Sequence, residues 1–354
     1  MRKKSRDKLL RLAPLPGLSV IALCGAATLA GCGNQSRATG ETADHQHADG
    51  AAHDAASATA GDAMPGGLTA RTTKLEFKTQ PKAIAAGEQA IWTLKIFDKK
   101  TGEPVRNFDT VHERMLHLIV VSKDLSWFNH IHPEYKDRGL FIIRTSVPRA
   151  GTYKLYADYT PKDGTPEVAQ HEISVGNGST PAAALTADKA AADKADSDWI
   201  VKRTTAAPEH EPQDANSKTA PDGPAYQIAL MPMPAKIVAG KPIKLRFQVR
   251  DAAGQHVTDL EPYLGAMGHL VIVSSDTNTY LHAHPMAGGM EGTSHGDHAA
   301  ASSSPDVMFH TNFPTAGLYK AWGQFKHKGL IIAAPFVLRV EAGVGAKTHA
   351  ATTK

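Results

Sequence analysis

The chain has 354 residues and eighteen histidines, more than its ten phenylalanines, and the histidines are unevenly placed. Six of them form two matching sets: His117, His130 and His132, then His269, His282 and His284. In an extended segment residues i and i+2 project to the same face, so each His-x-His presents two imidazoles together. A third imidazole on a neighbouring strand, His117 or His269, completes a three-nitrogen set. Met115 and Met267 stand two residues before these and add a thioether to each set. Mixed N/S sets suit copper, the first choice of metal, and three imidazoles also suit zinc, the second. His310 offers a fourth ligand to the second set, where the first has Arg144. The same histidines are equally compatible with a structural role, hydrogen-bonded where a sheet meets a loop, with His-Pro ending the strand.

Two further groups carry metal-ligand chemistry. Met286-Ala-Gly-Gly-Met-Glu-Gly-Thr-Ser-His-Gly-Asp-His298 follows directly on His284-Pro285 and reads either as a metal-capturing flap or as a plain polar loop. Asp44-His-Gln-His-Ala-Asp49, with His53, is a short His/Asp tract that buffers metal weakly or merely spaces. Met231-Pro-Met233-Pro could offer thioethers to Cu(I), although exposed Met at an edge turn is the ordinary reading. Catalytic templates are absent: there is no Gly-x-Ser-x-Gly, no phosphate-cradling glycine loop and no His-Glu-x-x-His. The expectation is a protein that is not an enzyme.

The formal net charge of +4 is concentrated at the start, where residues 1–31 hold six Lys/Arg against Asp7 alone. The remainder is close to neutral, which argues against nucleic acid as a partner. A basic start, the apolar stretch Leu18–Ala30 and small residues make residues 1–31 a signal peptide. Leu29-Ala30-Gly31-Cys32 resembles the bacterial lipobox, which implies acylation of Cys32 and a lipid-membrane anchor. The expected location is the cell envelope, on the periplasmic face of the outer membrane if the host is Gram-negative. With Cys24 removed and Cys32 acylated, no thiol remains to pair or to bind metal.

The elements that must position the histidines come from an internal duplication. Met115-Leu-His-Leu-Ile-Val-Val-Ser122 matches Met267-Gly-His-Leu-Val-Ile-Val-Ser274, and His130-Ile-His-Pro133 matches His282-Ala-His-Pro285. Val147-Pro-Arg-Ala-Gly-Thr-Tyr-Lys154 matches Phe313-Pro-Thr-Ala-Gly-Leu-Tyr-Lys320. Ile91–Phe97 and Ile243–Val249 alternate apolar and polar, as strands with one wet face do. Leu118–Val121 and Leu270–Val273 are continuous apolar runs suited to central strands. The Tyr two residues past each Pro-x-Ala-Gly suggests a tyrosine corner. The fold class is therefore all-β, two tandem immunoglobulin-like antiparallel β-sandwich domains. The organisation reads as a disordered tether (32–71), copy one (72–176), a linker (177–224), copy two (225–342) and a tail (343–354). Trp199-Ile-Val201 inside the linker could dock on a domain.

The repeated His motifs, Pro-x-x-Gly-x-Tyr-Lys and Trp322-Gly-Gln-Phe325 resemble the bacterial secreted YtkA-like and FixH-like domains. That resemblance implies immunoglobulin-like envelope modules associated with copper or other heavy-metal handling. Copy one departs from it at Tyr156-Ala-Asp-Tyr159 and Arg144, so copy two is the stronger candidate for metal. The expected function is metal binding for handling or resistance. The alternative is a structural module that binds an envelope protein partner without metal.

Overall fold

Alternation of apolar side chains makes the strands, and the computed structural model arranges them as expected. The described residues are 71–190, 199–207, 213–214, 223–285 and 305–343, and all belong to one unit, Ala58–Lys354. The signal segment, Cys32, the tether with its His/Asp tract, and the Met286–His298 insertion lie outside the described residues.

Copy one contains β1 (Thr73–Gln80), β2 (Ala90–Asp98), β3 (Leu116–Ser122), β4 (Trp127–Ile131), β5 (Glu134–Asp137), β6 (Leu140–Thr145), β7 (Gly151–Tyr159) and β8 (Glu167–Val175). They form two layers, β1-β2-β6-β5 and β4-β3-β7-β8. Between β8 and copy two come β9 (Ile200–Ala207) and β10 (Gln213–Asp214), the latter pairing with β4. Copy two contains β11 (Ala225–Met233), β12 (Ile237–Val238), β13 (Pro242–Arg250), β14 (His269–Ser274), β15 (Tyr280–Ala283), β16 (Asp306–Asn312), β17 (Gly317–His327) and β18 (Leu330–Glu341). Its layers are β15-β14-β17-β18 and β11-β13-β16. The described residues contain no helix.

Each sandwich closes over its own core. Trp92, Leu94, Leu118, Val120, Phe141 and Leu155 fill the first. Leu245, Phe247, Leu270, Ile272, Phe309 and Phe325 fill the second. Both tyrosine corners form: Tyr153 OH donates to Arg149 O at 2.8 Å and Tyr319 OH to Thr315 O at 2.9 Å. The duplication also shows in the register, because Arg144 stands opposite Ile91 as His310 stands opposite Lys244.

The linker assignment needs correction. β9 pairs with β11 from Ile200↔Leu230 to Thr205↔Ala225 and touches β18 at Ile331 and Ile332, so it joins the two layers of copy two. Only Ile200, Ala206 and Ala207 of this strand are buried. The polar Lys202-Arg203-Thr204-Thr205 between them hides the strand from a hydrophobicity reading. The preceding stretch is docked as well. Leu185 packs against a cluster that includes Val121, Val273 and Trp322, Asp188 N donates to Val337 O, and the Asp188 carboxylate accepts from Val337 N and Lys202 Nζ.

Candidate metal centre

β3 and β14 are buried along their whole length, so both of their faces need a cover. Leu118 and Val120, like Leu270 and Ile272, point into their own sandwich. The alternate residues Ile119, Val121, Val271 and Val273 form a third apolar cluster with Phe128, Tyr156, Tyr280 and Trp322, taken from both copies. Phe128 stacks on Trp322 at 4.7 Å, and Tyr156 stacks on Tyr280 at 4.8 Å. In the repeat Phe128 corresponds to Tyr280 and Tyr156 to Trp322. Each contact therefore recurs with the copies exchanged, the signature of an isologous packing. The two sandwiches meet through the sheets that carry the histidines.

The strand period then places the imidazoles. His117 shares the outer face of β3 with Ile119 and Val121, and His130 stands opposite Ile119. His269 shares the outer face of β14 with Val271 and Val273, and His282 stands opposite Val271. All four line the end of the apolar contact between the copies. His117, His130 and His269 are no more than 4% exposed, and the His282 side chain is equally buried.

The two expected sets are thus one cluster. Within copy one, ring centroids lie 4.7–5.3 Å apart among His117, His130 and His132. Within copy two, the His269, His282 and His284 rings are 4.4–5.4 Å apart. Across the copies His130 is 5.3 Å from His282 and 5.6 Å from His269. Among the described residues two triads have ligand atoms all within 4.8 Å of one another: His117, His130 and His132, and the mixed set His130, His269 and His282. Separate centres in each copy were expected from the sequence, whereas His130 of copy one reaches the copy-two pair. His112, which the sequence reading passed over, stacks on His284 at 3.5 Å and makes a seventh imidazole. Its turn has no histidine counterpart in copy two, so the repeat gave no signal for it.

Hydrogen bonding fixes the tautomers. His117 Nε2 lies 3.0 Å from Val111 O and His269 Nε2 lies 2.8 Å from Tyr263 O. A carbonyl only accepts, so both Nε2 atoms carry the proton and both Nδ1 atoms carry a lone pair. His130 Nδ1 donates to Gln324 Oε1 at 2.9 Å, and His282 Nδ1 donates to Asp158 Oδ2 at 3.3 Å. In neutral rings their Nε2 atoms then also carry lone pairs. Yet His117 Nδ1 faces His130 Nε2 at 3.0 Å, and His269 Nδ1 faces His282 Nε2 at 3.2 Å. With all four rings neutral these are acceptor–acceptor contacts, which a metal ion or a proton between the two nitrogens makes favourable. Two nitrogens about 2.0–2.1 Å from one tetrahedral ion stand roughly 3.3–3.4 Å apart, close to both separations. His284 Nε2 is buried with no hydrogen-bond partner beside the second pair.

Burial keeps the proton off most of these rings. Burial first, then the neighbouring His282, lowers His117 to about 4. The same two causes lower His112 to about 4. Burial is also the main cause holding His130, His269 and His284 well below the ordinary histidine value. Neutral imidazole is the metal-binding form.

Three expected ligands stand apart from the cluster. Met115 and Met267 pack against the hydrophobic cores of their own sandwiches, because apolar side chains at the strand entry are drawn inward. His310 lies on β16 opposite Lys244, on the face alternate to the buried Val307, Phe309 and Thr311, and belongs to the other layer. Among the described residues the donor set is thus imidazole.

Comparison with known proteins adds a family but little detail. No curated protein matches the sequence. Salmonella alpha-2-macroglobulin mutant Y1175G is 9% identical, with 78% of this chain and 15% of that chain covered and a TM-score of 0.22. This chain thus spans only a small part of that protein. A promiscuous carbohydrate-binding module of the β-sandwich superfamily is 11% identical, covering 76% and 99%, with a TM-score of 0.20. The titin Ig tandem A164-A165 is 8% identical, covering 77% and 96%, with a TM-score of 0.15. Scores this low carry no argument beyond the β-sandwich architecture already described. Residues 70–177 and 218–342, most of the chain and one stretch for each copy, match a single family. The chain belongs to the family described as "Domain of unknown function (DUF8832)" and carries that domain twice.

Proposed function

We propose that this protein binds a first-row transition metal with imidazoles from both copies, for metal handling or resistance in the cell envelope. The observation that carries this is the pair of acceptor–acceptor contacts, His117 Nδ1 to His130 Nε2 and His269 Nδ1 to His282 Nε2. An imidazole-only donor set follows the order of divalent affinities, which puts Cu(II) first and Zn(II) behind it. The lipobox-like Leu29-Ala-Gly-Cys32 supports a lipid-anchored protein, and the resemblance to YtkA-like and FixH-like domains supports the same setting. A partner-binding module without metal would explain the duplication but gives the convergent buried imidazoles no common role. The test is calorimetric titration of the full chain in detergent with Cu(II) and Zn(II), beside His117→Ala/His269→Ala. Loss of the tight uptake in the variant is expected. Equal uptake by both proteins would sink the proposal.

A further inference from the structure

The two facing pairs are chemically alike at the ring nitrogens but differ one step further out. β7 and β17 correspond in the repeat, and each sends one polar side chain across to the other copy. Gln324, opposite His269 in β17, accepts from His130 Nδ1 at 2.9 Å. Asp158, opposite His117 in β7, accepts from His282 Nδ1 at 3.3 Å and from Tyr280 OH at 3.3 Å. A neutral amide thus backs one imidazole, and a carboxylate with 23% side-chain exposure backs its counterpart.

We infer that the cluster holds two metal ions in unequal half-sites, and that Asp158 makes the His269/His282 half the tighter one. This rests on the metal-binding reading above. Each pair presents two ring nitrogens to one point, and the described histidines converge in two triads rather than one, His117/His130/His132 and His130/His269/His282. The buried His284 Nε2 stands beside the Asp158-backed pair as a further donor. The other pair has His132, 5.1 Å from His117 and 4.7 Å from His130 between ring centroids. A carboxylate behind a ligating imidazole raises its basicity and offsets part of the ion's charge, and losing such a partner costs about 10–100-fold in affinity. A neutral amide orients the ring without adding charge. The second ion must also enter against the charge of the first. Asp158 is a positioning and tuning residue here, since it reaches the metal only through His282.

The probe is Cu(II) added to the full chain in detergent and followed by electron paramagnetic resonance. One equivalent should give an isolated copper spectrum with nitrogen splitting. A second should diminish that signal and bring up the half-field transition of two coupled ions. Asp158→Asn should weaken the first equivalent about 10–100-fold, towards the second. Gln324→Glu should tighten the second, which keeps the test open if the Asn variant folds poorly. Saturation by one histidine-dependent equivalent overturns this inference and leaves the metal-binding reading standing. Two uncoupled equivalents, or an unchanged first affinity in Asp158→Asn, overturn it too. No histidine-dependent uptake at all removes both.

Discussion

Acid should unfold the metal-free chain over a window set by histidines rather than carboxylates. His117 titrates at about 4 because burial, and then the nearby His282, oppose its charge. A histidine depressed in this way is neutral in both states at pH 7 and contributes nothing there. As pH falls through 6.5 the unfolded chain takes up a proton that the folded chain refuses. Stability is then lost until the pH passes below the folded-state value. The loss is about 1.4 kcal/mol per pH unit for each such group, so His117 alone removes about 3 kcal/mol by pH 4. His130, His269 and His284 are pushed in the same direction by burial. A domain holds only about 5–15 kcal/mol in total, so two or three of these groups acting together exhaust it. The assay is urea unfolding with chelator present, from pH 7.5 down to about 4.5, followed by the fluorescence of the buried Trp92, Trp127 and Trp322. Stability should hold above pH 6.5 and then fall by more than about 1.4 kcal/mol per unit. His117→Gln/His269→Gln should flatten that slope. A flat profile in the wild type across this range would refute the burial argument.

Other outcomes follow from particular contacts. Trp322→Ala empties the stack on Phe128 at 4.7 Å and should cost about 3–5 kcal/mol, read as a lower denaturation midpoint and faster proteolysis between the copies. Tyr153→Phe or Tyr319→Phe removes the corner hydroxyl and should cost about 0.5–1.5 kcal/mol each by urea unfolding; a neutral result would show the corner to be idle. His310→Ala should leave metal titration unchanged, since His310 sits in the other layer; a weakened first equivalent would contradict that placement. Gly139→Ala should destabilise strongly, because at φ +71° its new Cβ would meet Ile96 O at 2.3 Å, and a thermal melt reads the loss.

Much of the fold was legible because strand periodicity and turn chemistry are local. The alternation in Ile91–Phe97 and Ile243–Val249, the Pro-x-Ala-Gly-x-Tyr corners and the repeat itself predict two sandwiches, and two sandwiches form. The strand β9 was not legible, since its pairing partners lie far away in the chain and its middle is polar. The histidines were picked out by repetition, but their grouping across the copies depends on docking, which no spacing within one copy encodes. A signal was nonetheless present. Leu118–Val121 and Leu270–Val273 are too apolar for strands with only one covered face, and Ile119, Val121, Val271 and Val273 require a partner surface. The same reasoning carries His117 and His269 into that surface, two residues along each strand. Met115 and Met267 were grouped with the histidines by carrying the strand period beyond the strand starts at Leu116 and His269, whereas both pack on the cores of their own sandwiches.

The central claim is that imidazoles at the contact between the copies bind metal, and X-ray absorption at the edge of the bound metal addresses this most directly. With substoichiometric Zn(II) or Cu(II) on the full chain, the expected first shell is at least three nitrogens at about 2.0–2.1 Å, with the outer-shell pattern of imidazole. His269→Ala should reduce the number of imidazoles around this first ion, and His130→Ala in copy one should do so once two equivalents are bound. A first shell of oxygen alone, or a sulfur at about 2.3 Å, would contradict the account. So would a spectrum at two equivalents that changes with substitutions in one copy and ignores the other.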